Sequence, residues 1–263
     1  MPSVSSIAVG ALVAGSAASK ARHGMNESIA RLSTGMRSMY GGDAAGQSVA
    51  NTLQARSMSW AVAARNAEDG ISAAQTAESA LLEIAALAQR LREVGIQADN
   101  EGLLVAASDL AALNAEATAL GTAIDQIVST TTFNGVSLLG TSAVSTNIGV
   151  TDAGGTVALK TSDAVAAAAR TEATNADASA DETLTDVAIS LGNIAAGIAA
   201  LKGRQAVAYS ASANLAAAAA RIEDTDFASE TANLTKNSVL NQSAMAMVAQ
   251  ANQAQSAVLA VLN

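Results

Sequence analysis

Residues 7–36 read IAVGALVAGSAASKARHGMNESIARLSTGM, and the spacing of this stretch decides the fold. Ile7, Ala11, Ala14, Ala18, Ala21, Met25, Ser28, Leu32 and Met36 step by three or four, which puts them on one stripe of a helix of about eight turns. Gly35 weakens the pattern and Gly41-Gly42 ends it. The other end of the chain carries a matching stripe: Leu240, Ala244, Met247, Ala251, Ala254, Val258 and Val261, with Leu234 near its start. A helix with such a seam relies on tertiary packing to bury its apolar face. The natural partner of the first helix is the last, paired as a coiled coil. Ala knobs allow close approach but contribute little area per contact, so the pair should gain stability from neighbouring copies.

Between these ends the chain reads as a rod. Asp43 stands at an N-cap position and opens a helix that runs to about Ala98, with Ala67, Ile71, Ala74, Ala77, Leu81, Ala85 and Ala88 in step. Asp99 to Gly102 is a turn. Leu103, Ala106, Leu110, Leu113, Ala117, Leu120, Ile124 and Ile127 predict the next helix. Residues 129–175 turn to Ser, Thr, Gly, Val and Asp, and 147–150 and 156–159 flank a five-residue loop as a β-hairpin. Ala176 to Glu182 reads as a polar linker, before Leu184, Val187, Leu191, Ile194, Ile198 and Leu201 start a long stripe that continues to Ile222. Glu223 to Asp226 breaks it. The expected fold is mainly α: a long helical rod, an N- and C-terminal coiled-coil pair, and a small β-hairpin region at about 140–175. The expected domains are 1–42 with 225–263 as the terminal pair and 43–224 as the rod.

Composition removes most chemistry. The 263 residues are 50% apolar but 2% aromatic, with one Pro, one His and no Cys. Thiolate sites, disulfides and multi-histidine metal sites are therefore excluded, and one imidazole remains for any triad. A net charge of −9 repels nucleic acid, and no Lys/Arg stripe with interleaved aromatics occurs. Ile7 to Ala18 is shorter than a membrane span and interrupted by Gly10, Gly15 and Ser16. No Lys or Arg precedes it, so a cleaved signal peptide is not expected either.

Individual candidates read as structure. Glu223-Asp224-Thr225-Asp226 fails as an EF-hand loop, because Ser229 and Thr235 stand where Gly and Glu are needed; it reads as a junction whose acids favour the next helix N-terminus. His23 reads as a surface or interface side chain and Trp60 as a packing anchor. Asn26, Asn233 and Asn241 match the N-glycosylation pattern but fall within helices. The Ser/Thr-rich segment 141–162 is a better place for O-glycosylation. No catalytic or metal residues are expected, no cofactor is called for, and the chain reads as a non-enzyme.

Several stretches closely resemble bacterial flagellin. Residues 31–37, Arg-Leu-Ser-Thr-Gly-Met-Arg, resemble the family's RLSSGLR, and residues 42–46 its DDAAG. Residues 65–72 with Gln75 to Glu78 are similar to RNANDGIS and QTAEG, and residues 89–98 to QRVRELAVQA. Phe133-Asn134-Gly135 matches the FNG that ends the family's third helix. Arg221 to Ala228 resembles RIEDADYA, and Ala249 to Gln253 matches AQANQ. These motifs stand in the family's order over roughly residues 3–139 and 184–263. Ser6 to Val9 stand where the family has INTN, and its LGAxQNR is not recoverable near Lys202 to Ala206.

The resemblance implies a short flagellin without outer variable domains, one that polymerises into the flagellar filament for swimming motility. The alternative is a minor flagellin or hook–filament junction protein of the same family. It implies extracellular localisation in the filament, reached by type III export without a cleaved signal. The implied partners are further copies and sister flagellins, an export chaperone, cap and hook-junction proteins and an innate immune receptor, with no nucleic acid and no membrane insertion. The subunit-interface residues it implies are Arg31, Leu32, Gln89, Arg90, Leu91, Arg92, Glu93, Leu240, Met247, Gln250, Asn252 and Val258.

Overall fold

The structure is a computed structural model that describes residues 4–37, 43–105, 108–165 and 172–262. Its elements are α1 (Val4–Thr34), α2 (Ala44–Ala98), α3 (Asp109–Thr130), β1 (Thr132–Phe133), β2 (Val136–Ser137), β3 (Val144–Gly149), β4 (Thr156–Ser162), α4 (Ala176–Glu223) and α5 (Phe227–Leu262). Short 3-10 turns cover Glu101–Leu103 and Ala173–Asn175. The chain divides into two compact units, residues 1–55 with 215–263 and residues 56–214.

In the first unit α1 packs along α5 in antiparallel fashion. The helix α1 ends earlier than its sequence stripe predicts. Gly35 adopts φ +72° and donates its N–H to the Arg31 carbonyl at 2.8 Å, the left-handed cap that stops a helix at Thr34. The expected terminator, Gly41-Gly42, lies outside the described residues. Met36 instead bridges to Asp224: Arg37 N–H donates to Glu223 O at 2.7 Å and Thr225 N–H to Gly35 O at 2.8 Å. Asp226 then caps α5, accepting the Ala228 N–H on Oδ1 at 3.0 Å, so the acidic cluster is the junction its sequence suggests.

The α1 face of this pair follows the expected stripe, from Ala11 through Ala14, Ala18, Ala21, Met25 and Ser28 to Leu32. The α5 face follows its expected stripe at Leu234, Ala244 and Ala251 only. Glu230, Leu234, Asn237, Asn241, Ala244, Val248 and Ala251 alternate by four and three along its sheltered side, with Ser238 half-buried beside them. Leu240 and Met247, which the hydrophobic stripe placed in the seam, are 48% and 59% exposed. Picking apolar residues alone steps past Asn237 and Asn241, whereas the seam follows the heptad whatever residues occupy it.

The second unit is built around α2, α3 and α4. Ala74, Ala77, Leu81 and Ile84 of α2, Ile124 and Val128 of α3, and Val187, Ile194 and Leu201 of α4 share one core with Leu138, Leu139, Val150 and Leu159. A second cluster joins Leu91, Val94 and Ala98 to Ala117, Ala173, Ala176 and Ala180. By length and a hydropathy of 1.6, α4 passes as a membrane-crossing helix. Its buried residues Val187, Ile194, Leu201 and Ala208 recur every seven positions, the signature of packing against other helices.

Three details depart from the sequence expectations. Leu103 is 82% exposed in a 3-10 turn, and α3 starts only at Asp109. The Asp109 carboxylate accepts the Val105 N–H at 3.0 Å and the Ser108 hydroxyl at 3.0 Å, closing the turn locally so that the helix begins after it. Ala106, in the same expected stripe, lies outside the described residues. Residues 176–182, expected as a linker, form the first turns of α4; Ala176, Ser179, Ala180 and Thr183 are buried while Asp177, Asp181 and Glu182 face outward or lie half-buried.

β1 and β2 form a second, tiny hairpin besides the one expected at about 140–175. Asn134 and Gly135 take φ +49° and +79°, the positive angles of a two-residue type I′ turn. The larger hairpin, β3–β4, runs in register from Val144↔Ser162 to Gly149↔Thr156, with a bulge at Val144/Ser145. Its loop is 150–155, one residue longer than expected.

Candidate subunit-contact surfaces

Each unit carries one candidate contact surface. In the first, the flanks of the α1–α5 seam enclose an open groove of about 930 Å³. Val9, Val13 and Ala17 of α1 face Leu240, Ala244 and Met247 of α5 across it, with Lys20 near one end. Leu12 of α1 is 74% exposed, and Met245 of α5 is also open to solvent, where its Sδ accepts from Arg22 Nη2 at 3.9 Å. Helices that hide Ala in their seam and show Leu, Val and Met on their flanks have inverted the usual arrangement. Such a contiguous apolar surface marks an interaction site.

The residues expected here separate into distinct roles. Arg31 lies on the seam, its Nη1 3.5 Å from Glu230 Oε1, and Leu32 is half-buried beside it. Leu240, Met247, Gln250 and Asn252 are exposed. Val258 lies outside the residues whose side chains are described. The sequence reading missed Leu12, Val13 and Met245, each one step off a marked stripe, and Val9, two steps off.

The second surface is on α2. Arg90 Nη1 donates to Glu93 at 2.7 Å, while its Nε and Nη2 both reach Glu116 Oε1 of α3, at 3.0 and 2.7 Å. Glu93 first and Glu116 second raise the guanidinium pKa above its ordinary value. Arg92 Nε donates to Asp181 of α4 at 2.8 Å. Gln89 is exposed, but Leu91 is fully buried in the core, so its side chain is not available to a second copy. Both arginines thus tie α2 to its neighbours on an exposed face. Pairs of this kind contribute little to stability individually and mainly fix side-chain geometry.

Other candidates stay structural. His23 Nε2 lies 3.2 Å from Glu27 on the same exposed helix face. Trp60 is half-buried on α2. Among the described residues, no three His, Cys, Asp or Glu side chains come together as a metal site.

The bacterial flagellin N-terminal helical region matches residues 6–144, and the bacterial flagellin C-terminal helical region matches 178–262. The chain belongs to the bacterial flagellin family. It is 36% identical over 249 residues to a flagellin of Halalkalibacterium halodurans, across 90% of this chain and 91% of that protein. It is 30% identical over 271 residues to the flagellar filament 33 kDa core protein of Treponema phagedenis, across 90% of this chain and 92% of that one. A crystal structure of Bacillus cereus flagellin is 27% identical, covering 57% of this chain and 88% of that chain at a TM-score of 0.41. The family is one of structural proteins.

Proposed function

We propose that this chain polymerises with copies of itself into the flagellar filament, and that the flanks of the α1–α5 pair are where the copies meet. The observation that carries this reading is the exposure of Leu12, Val13, Leu240 and Met247 along both sides of an Ala-lined seam. An isolated subunit leaves that surface in water, and stacking removes it. The segments 1–42 and 225–263 are the assembly module, and 43–224 is the rod. Arg31, Leu32, Gln250, Asn252 and Val258 extend the contact along the terminal helices. Gln89, Arg90, Arg92 and Glu93 form a second contact on the rod.

The chain works without catalysis and without a cofactor. It acts outside the cell, exported through the flagellar channel. An export chaperone, the cap and the hook-junction proteins meet it on the way, and an innate immune receptor can read it afterwards.

Removing residues 230–263 tests the assembly reading. The truncated chain should form no filaments by electron microscopy under conditions that polymerise the full chain. Long filaments from the truncated chain would refute the terminal pair as the assembly module.

A further inference from the structure

We propose that the Arg31–Glu230 ion pair and the seating of the Asn237 amide against Gly24 set the register between α1 and α5. Ala11, Ala14, Ala18 and Ala21 offer nearly identical small knobs, so a one-turn slide of α5 would leave the side chains facing this part of α1 against an alanine much like the one they left. Over this stretch apolar matching specifies pairing without specifying register.

The polar positions break this degeneracy. Glu230 is 8% exposed and its carboxylate faces Arg31 Nη1 at 3.5 Å. A one-turn slip would leave that sheltered carboxylate without its cation, a costly arrangement. Farther along, a Cβ on Gly24 would stand 2.7 Å from Asn237 Nδ2, so Gly24 makes the notch that receives the Asn237 amide. Slipping by three or four residues would bring Ala21, Lys20, Glu27 or Ser28 toward that amide, and none of them offers the notch. Asn241, one step further along the seam, has its Oδ1 buried with no hydrogen-bond partner among the described residues, so it costs stability without choosing between registers. The backbone bridge between Gly35–Arg37 and Glu223–Thr225 holds the same register at the junction end, next to the Arg31–Glu230 pair.

This inference concerns the single chain and stands whether or not the filament reading holds. The chain has no Cys, so Ser16→Cys and Ala232→Cys, both at exposed positions, take spin labels cleanly in the full-length protein. Dilution with unlabelled chain keeps the measured distance within one molecule. The labelled parent should give one distance. Asn237→Leu with Asn241→Leu keeps the helix pair folded and raises its melting temperature, yet should add a second distance displaced by roughly 5 Å, one helical turn. Arg31→Glu should do the same, and Arg31→Glu with Glu230→Arg should restore the single distance. One unchanged distance in the doubly substituted Leu chain overturns the proposal, whatever Arg31→Glu does to folding.

Discussion

Gly95 of α2 lies so close to the first turn of α4 that a Cβ on it would overlap the backbone nitrogen of Asp177. Bare backbone meets backbone at this point, and it lets Ala176 and Ala180 reach Leu91, Val94 and Ala98. Gly95→Ala is therefore expected to lower stability by about 1–3 kcal/mol through overpacking, although Ala is the better helix former. Gly192 sits within α4 with nothing near its missing Cβ. Gly192→Ala should raise stability by up to about 1 kcal/mol. Urea unfolding of both variants gives the opposite signs, or refutes the close approach.

Stability and assembly should separate by residue. Leu91 is fully buried, so Leu91→Ala should cost about 2–5 kcal/mol in monomer unfolding. Leu240→Ser with Met247→Ser touches exposed positions and should change monomer stability by no more than about 0.5 kcal/mol per site. The same pair should raise the critical concentration for polymerisation at least ~10-fold, equivalent to about 1.4 kcal/mol of lost contact. Sedimentation of polymer from monomer across a concentration series measures it.

Asp109 gives a pH handle on the start of α3. The Val105 N–H first, and the Ser108 hydroxyl second, stabilise its carboxylate and lower its pKa from 3.8. Because the folded value lies below the unfolded one, the stabilisation is present above about 3.8 and is lost as pH falls through the folded pKa. The Val105 amide proton should titrate in NMR with a midpoint below 3.8, and Asp109→Asn should abolish that titration.

Long-range periodicity was readable in the sequence, and local side-chain capture was not. The stripe from Ala11 to Leu32 predicted the α1 seam because a helix face repeats over many turns. Gly35 ends α1 through its positive φ, a backbone event that periodicity does not register. The Asn134-Gly135 pair did carry a readable hairpin signal, but β1 and β2 have two residues each, too few for alternation to show. On α5 the seam holds Glu230, Asn237 and Asn241, so hydrophobicity pointed to Leu240 and Met247. The residues that look most like core there are the ones left exposed. The resemblance implies all of residues 89–93 as subunit contacts, yet Leu91 turns inward because each position advances about 100° around the helix.

Tyr209 reports on the packing of α4 against α2. Its hydroxyl donates to Glu68 Oε1 at 2.7 Å, and Gln205 Nε2 donates to the same oxygen at 2.8 Å. Ionising the phenol would remove the donor and place an anion beside a carboxylate. The hydrogen bond to Glu68 and burial accordingly raise the Tyr209 pKa above 10.0. A folded pKa above the unfolded one means that this contact contributes below pH 10 and is lost as pH rises through the folded value. The chain has one other tyrosine, Tyr40, so a Tyr40→Phe background isolates the signal. Ultraviolet titration of that variant should show a single phenol ionising above 10.0, and Glu68→Gln should bring the midpoint down. An unmoved midpoint would mean that Glu68 does not hold the phenol, leaving Gln205 as the side chain of α4 that binds Glu68.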